Sequence, residues 1–168
     1  VVGGDLFDYF LMDENRLFFI IGDVSDKGIP AALFMAITKA IFKSHFLSPT
    51  CGSITDEVRQ VNAFLCADNS SFMFVTAFLG IIDLKTGVVE YIDAGHEPPL
   101  IRRKDGTVET LKKHGGLALA IEGTFPYAPQ VMTLSPGDTL FLYTDGTTDA
   151  YNSQRERYGM VRLREHLE

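Results

Sequence analysis

Three apolar runs in this 168-residue sequence meet an aspartate set beside a glycine. Gly3-Gly4-Asp5 opens the run Leu6 to Met12, Gly22-Asp23 closes the run Leu17 to Ile21, and Asp145-Gly146 follows Thr139 to Thr144. Runs of that length fit strands. An acid at a strand end puts its carboxylate at the rim of a sheet, and the neighbouring glycine lets the backbone turn sharply or approach a ligand closely. Each pair alone also fits an ordinary tight turn. Together, carboxylates brought to one point would repel each other unless a cation lay between them, and oxygen-only ligand sets suit hard divalent ions.

The rest of the chain reads as hairpins with helices grouped between them. Leu6 to Met12 and Arg16 to Ile21 flank the turn Asp13-Glu14-Asn15. Pro30 suits a first helical position, and Leu33, Phe34, Ile37 and Ile41 follow at helical spacing as a core-facing stripe ending at Ser48-Pro49. Ser53, with Asp56 three residues on, caps a second helix whose buried face is Ile54, Val58, Val61 and Leu65. Phe72 to Ile82 and Val88 to Ala94 form a hairpin around Asp83–Gly87. Pro99 to Arg103 pairs with Thr107 to Leu111. Val131 to Leu134 pairs with Thr139 to Thr144 around Ser135-Pro136-Gly137-Asp138, and Arg162 to Leu167 is helical. This order predicts an α+β fold rather than parallel βαβ units. With no linker or repeat, one domain over 1–168 is expected.

Composition removes several function classes. The hydrophobic content of 46% supports a core, and a formal charge of −7 with only short basic clusters argues against nucleic-acid binding. No apolar stretch is long enough to span a bilayer, so membrane contact is not expected. Cys51 and Cys66 form no CxxC pair, which fits the reducing cytoplasm. Absence of an initial methionine suggests a piece of a longer protein.

Five motifs then stand in order. Val2-Gly3-Gly4-Asp5-Leu6-Phe7-Asp8, the stretch Gly22-Asp23-Val24-Ser25-Asp26-Lys27-Gly28-Ile29-Pro30-Ala31-Ala32, Phe74-Val75-Thr76-Ala77, Ala94-Gly95-His96-Glu97-Pro98-Pro99-Leu100, and Tyr143-Thr144-Asp145-Gly146 through Asn152 cover nearly the whole chain. Together they resemble the PPM-type (type 2C) metal-dependent Ser/Thr phosphatases, in the branch named after SpoIIE and RsbU. The resemblance implies a four-layer α-β-β-α sandwich of two antiparallel sheets flanked by helices. It also implies two divalent metal ions, Mn²⁺ or Mg²⁺, held by Asp5, Asp23, the Val24 carbonyl and Asp145, with Asp23 bridging. Those aspartates are the expected catalytic set. Asp8, Asp149 and Asn152 are candidates to support the ligands from behind, and His96 and Lys27 are lesser candidates for leaving-group protonation and phosphate attraction.

The chain departs from the pattern in places. A last metal-binding Asp, usual after the final helix, does not appear before Glu168, which predicts a missing last strand. Ala118 and Ala120 replace a Pro and a Gly, and Ser25 stands where eukaryotic relatives carry a His. By resemblance, the substrate is a phosphoserine or phosphothreonine on a STAS-type anti-sigma-factor antagonist in bacterial partner switching. A sensory domain (receiver, PAS, GAF or HAMP) would precede this domain in the same chain, and a homodimer is compatible with the family. The alternative is a pseudophosphatase acting as a binding module. An aspartyl-phosphate mechanism is excluded, because Tyr143 stands where Asp145-Gly146-Thr147 would need a nucleophilic Asp.

Overall fold

The computed structural model describes residues 3–67 and 69–168. The chain divides into two compact units, the first built from Val1–His96 and His114–Thr133, the second from Glu97–Lys113 and Leu134–Glu168.

The first unit is built on a five-stranded sheet. Its strands are β1 (Asp5–Leu11), β2 (Arg16–Val24), β3 (Val75–Asp83), β4 (Val88–Ala94) and β7 (Gln130–Thr133), in the order β1-β2-β3-β4-β7. Every neighbouring pair is antiparallel. The turns follow from short polar side chains. Asp13 accepts the Asn15 and Arg16 amides, and Asp83 accepts those of Lys85 and Thr86. Two helices, α1 (Ile29–Phe46) and α2 (Ile54–Ala67), lie between β2 and β3 in sequence. One face of the sheet presents Leu6, Phe18, Ile20 and Val24 to a cluster that includes Phe42 and Phe46 of α1 and Ile54, Val58 and Val61 of α2. Phe18 is wholly buried, its ring 4.2 Å from Phe46 and 5.0 Å from Phe10.

The second helix matches expectation. Ser53 Oγ accepts the Asp56 amide at 3.2 Å, and Ile54, Val58, Val61 and Leu65 are buried. In the first helix half of the expected stripe holds, since Phe34 and Ile41 pack against the core while Leu33 and Ile37 do not. Its buried residues are Ala31, Thr38, Phe42 and Phe46, while Leu33 is 60% and Ile37 48% exposed. The helix is apolar on more than one side, so spacing alone could not choose the inward face. Thr38 enters the core because its hydroxyl donates to the Phe34 carbonyl at 2.8 Å.

Two strand expectations also need correction. The third strand begins at Val75 rather than Phe72. Asn69 takes the Met73 amide with Oδ1 and donates Nδ2 to the Met73 carbonyl, so this backbone is satisfied locally instead of by a ladder. The expected hairpin around Ser135–Asp138 does not form. Gln130–Thr133 pairs with β4, whereas β8 (Thr139–Phe141) pairs with β5 (Leu100–Arg102) in the second unit. The turn exists, with Asp138 N–H on the Ser135 carbonyl, but Asp138 Oδ1 accepts the Lys104 amide and Oδ2 accepts Ser135 N–H and Arg103. Those bonds bind the start of β8 to the β5 hairpin.

The second unit holds the three-stranded sheet β6-β5-β8, with β6 at Val108–Thr110, and the helices α3 (Asp145–Thr148) and α4 (Gly159–Leu167). Its core is the small cluster Leu100, Val108, Tyr143 and Leu163. Burial, and next to it the Glu97 charge, raise the Tyr143 phenol above its usual pKa. Arg102 donates to the Leu167 carbonyl at 2.6 Å, and Arg164 donates to the Val108 carbonyl at 2.7 Å and to Thr110 Oγ1 at 2.8 Å.

Ala120 has φ +68°. That left-handed conformation strains any residue with a Cβ. The loop tolerates it because Asn62 accepts the Ala120 amide at 2.9 Å and Asn69 donates to its carbonyl at 3.2 Å. Tyr127, pushed up in pKa by burial, donates to the Leu117 carbonyl of the same loop.

Candidate metal centre

The β1–β2 register sets Asp5 directly opposite Asp23. Side chains of directly opposed residues leave the same face, with Cβ atoms about 4.5–5.5 Å apart. Two like charges so placed destabilise the pair unless something positive joins them. Gly4 precedes Asp5, and a Cβ built there would meet the Val24 carbonyl oxygen at 2.8 Å and Asp23 Oδ1 at 3.3 Å. The missing side chain therefore leaves open the space into which Val24 O and the Asp23 carboxylate project. Val24 N–H donates to the Gly4 carbonyl at 3.3 Å, which holds the strand ends together. Asp5, Asp23 and the Val24 carbonyl make an all-oxygen donor set, the kind that Mg²⁺ and Mn²⁺ accept.

The other expected residues are placed as follows. Asp145 does not stand at a strand end as expected: β8 stops at Phe141, and Asp145 opens α3, exposed, its carbonyl accepting the Asp149 amide at 2.7 Å. Among the described residues no group of three or more His, Cys, Asp or Glu side chains is gathered as a metal cluster. Asp8 is three residues from Asp5 and so leaves the opposite face of the strand. It lies between Lys39 and Lys43 of α1, each ammonium 3.7 Å from one of its oxygens, and makes its contacts on the helix side of the sheet. Asp149 pairs with Arg157. Asn152 accepts the Gln154 and Glu156 amides, building the turn between them. Lys27 is exposed, two residues after Ser25. Ser25, in the place of the eukaryotic His, closes its loop on the next strand: Ser25 N–H donates to the Phe74 carbonyl at 2.9 Å and Phe74 N–H donates to Ser25 Oγ at 3.0 Å.

His96 is 4% exposed, with Nδ1 3.0 Å from Thr76 Oγ1. A ring this buried is held within the fold rather than presented to solvent. Thr76 carried no individual role in the sequence reading. The available signal was its place in the Phe74-Val75-Thr76 motif, but pairing opposite Asp23 needs the strand register. Lys39 and Lys43 were likewise missed as partners of Asp8, although their i, i+4 spacing put them on one helix face.

Comparison with known proteins bears on the family and the fold. The family model "Stage II sporulation protein E (SpoIIE)" matches residues 13–168. The chain is 31% identical to Protein IcfG of Synechocystis sp., over 99% of this chain and 30% of that one. It is also 31% identical to Phosphoserine phosphatase RsbU of Bacillus subtilis, over 99% of this chain and 50% of that one. The chain thus spans half or less of these relatives' lengths. The SiaA-PP2C domain of Pseudomonas aeruginosa superposes with a TM-score of 0.79 at 22% identity, covering 99% of this chain and 65% of that one. That likeness carries the expected α+β fold of two antiparallel sheets with helices. The match over all but the first twelve residues makes the chain a member of the SpoIIE family.

Proposed function

We propose that the chain is a metal-dependent phosphoprotein phosphatase that hydrolyses phosphoserine or phosphothreonine. The observation that carries this is the opposition of Asp5 and Asp23 on one face, with the Val24 carbonyl in the space Gly4 leaves open. Two facing acids cost stability, and a cation repays that cost only if bound. Bound there, divalent cations would neutralise a phosphate dianion and make a water more acidic. Asp5, Asp23 and Val24 would hold them, and Asp23 would be shared. The part of Asp145 in this reading rests on its motif alone.

The carboxylates limit the net positive charge of the site, so that phosphate binds without being trapped. Ser25 is tied to Phe74 by two hydrogen bonds, which anchor the residue after Val24. No side chain among the proposed ligands acts as a nucleophile in this scheme, and no covalent enzyme intermediate is required.

The similarity to a phosphoserine phosphatase of Bacillus subtilis supports the substrate class. We extend it to a STAS-type phosphoprotein as the physiological substrate, with a sensory domain elsewhere in the full chain and a cytoplasmic site of action. Among the described residues no helix is long and apolar enough to cross a membrane.

The test is turnover of p-nitrophenyl phosphate and of a serine-phosphorylated STAS protein with Mn²⁺ or Mg²⁺. Asp23→Asn should lower turnover by about 10³-fold, the scale of losing a main electrostatic stabiliser. Equal turnover by the variant, or turnover untouched by chelation, rejects the proposal. The alternative reading is a pseudophosphatase that binds without hydrolysis. Mn²⁺ binding without turnover of either substrate would select it.

A further inference from the structure

We propose that Thr76 and His96 are positioning residues that aim the Asp23–Val24 peptide, and through it two of the donors, at the metal. This rests on the reading of Asp23 and Val24 as ligands given above. Thr76 lies on β3 directly opposite Asp23. Its hydroxyl is 3.4 Å from the Asp23 carbonyl oxygen and 3.0 Å from His96 Nδ1. A threonine hydroxyl has one proton to give and two lone pairs to receive. The carbonyl can only accept, so the threonine proton goes to Asp23 O and His96 must donate from Nδ1. That fixes the tautomer of the buried ring, because the partner of one ring nitrogen decides where the proton sits.

The ring is aimed by its neighbour. Gly95 has φ +76° and bridges Ala77, the residue after Thr76. A Cβ on Gly95 would also come within 3.2 Å of the Ala118 nitrogen and the Gly116 carbonyl oxygen. The Asp23–Val24 peptide is therefore held from two sides. The Gly4 carbonyl takes its N–H, and the Thr76 hydroxyl, oriented by His96, faces its oxygen. Loss of either hold would loosen the strand end that carries both the Asp23 side chain and the Val24 carbonyl. Partners that orient ligands in this manner are worth about 10–100-fold in metal affinity.

The experiment measures Mn²⁺ dissociation constants by electron paramagnetic resonance, with thermal melting of the metal-free proteins in parallel. Thr76→Val should weaken Mn²⁺ by about 10-fold or more without a matching loss of melting temperature. Thr76→Ser, which keeps the hydroxyl, should restore affinity, and His96→Asn, which keeps a donor near the Nδ1 position, should fall between. Nitrogen-15 NMR of the His96 ring should find the proton on Nδ1. Wild-type affinity in Thr76→Val overturns the proposal, as does a proton found on Nε2 alone. Loss of affinity and melting temperature together, with no rescue by serine, assigns Thr76 to the fold alone and also overturns it. Wild-type protein that binds no Mn²⁺ rejects the metal reading itself, and this proposal with it. Loss of binding in Asp23→Asn beside an unaffected Thr76→Val rejects the positioning role only.

Discussion

The two units are stabilised by different means. The first has strands of up to nine residues and an aromatic core in which Phe10, Phe18, Phe42 and Phe46 stack. It holds 13 acidic and six basic residues, hence the entire net charge of the chain. The second has three-residue strands, a core of four buried side chains, and nine residues of each sign. There arginines tie the pieces together by donating to carbonyls and carboxylates. Apolar burial secures the long sheet that carries the opposed acids, so that sheet can bear their repulsion. Directional charged bonds secure the unit whose sheet is too small to bury much surface.

Core truncation tests this contrast most severely. Phe18→Ala should cost about 3–5 kcal/mol, read from chemical denaturation, and should speed amide exchange through β1, β2 and β3 first. Faster exchange in β5, β6 and β8 before those strands would break the contrast. Arg164→Met removes the tie from α4 to β6 while keeping an apolar stem. It should cost about 1.5–3 kcal/mol, the scale of losing hydrogen bonds from a charged group, with exchange rising in α4 and β6 and little change in β2. Ala120→Gly should act in the opposite direction. Release of a left-handed alanine is worth about 1–2 kcal/mol, partly offset by the lost methyl, so a gain of about 0.5 kcal/mol is expected in the melting curve.

Acid should give the smallest and most local effect. The Ser135 amide, then the Arg103 guanidinium, hold the Asp138 carboxyl below its usual pKa. The folded unit thus resists protonation more than the unfolded chain does. The stabilisation is complete above the ordinary Asp value of about 3.9 and is lost as pH falls through the lowered folded value. Exchange at Ser135 and Lys104 should rise below about pH 4 in wild-type protein, and Asp138→Asn should show that rise at neutral pH already. An unchanged pH profile in the variant would show that Asp138 does not hold this turn.

Much of this was legible in the sequence because its causes are local. Asp13, Asp83 and Ser53 use their own side chains to cap the nearest amides, so the first hairpins and α2 fall where turn and capping rules put them. The acids beside glycines were visible for the same reason. Direction and partnership were not local. Residues 33 and 37 satisfy helical spacing as well as 38 and 42 do, and only packing against Phe18 and Leu6 chose between them. The Ser135–Asp138 turn has hairpin letters, yet Asp138 bonds to Lys104 and Arg103, far back in the chain. Asp8 looked like part of the metal motif until strand alternation turned it toward the lysines of α1.

The sequence by itself determined the first hairpin, the capped start of α2, and the acids Asp5 and Asp23 at strand ends, because each depends on neighbours a few bonds away. Tertiary structure alone decided that Asp5 faces Asp23, that Thr76 faces both Asp23 and His96, and that β7 and β8 part into different sheets. Strand register is a choice among pairings of remote segments. It is settled by which side chains are buried together, and no local preference encodes that.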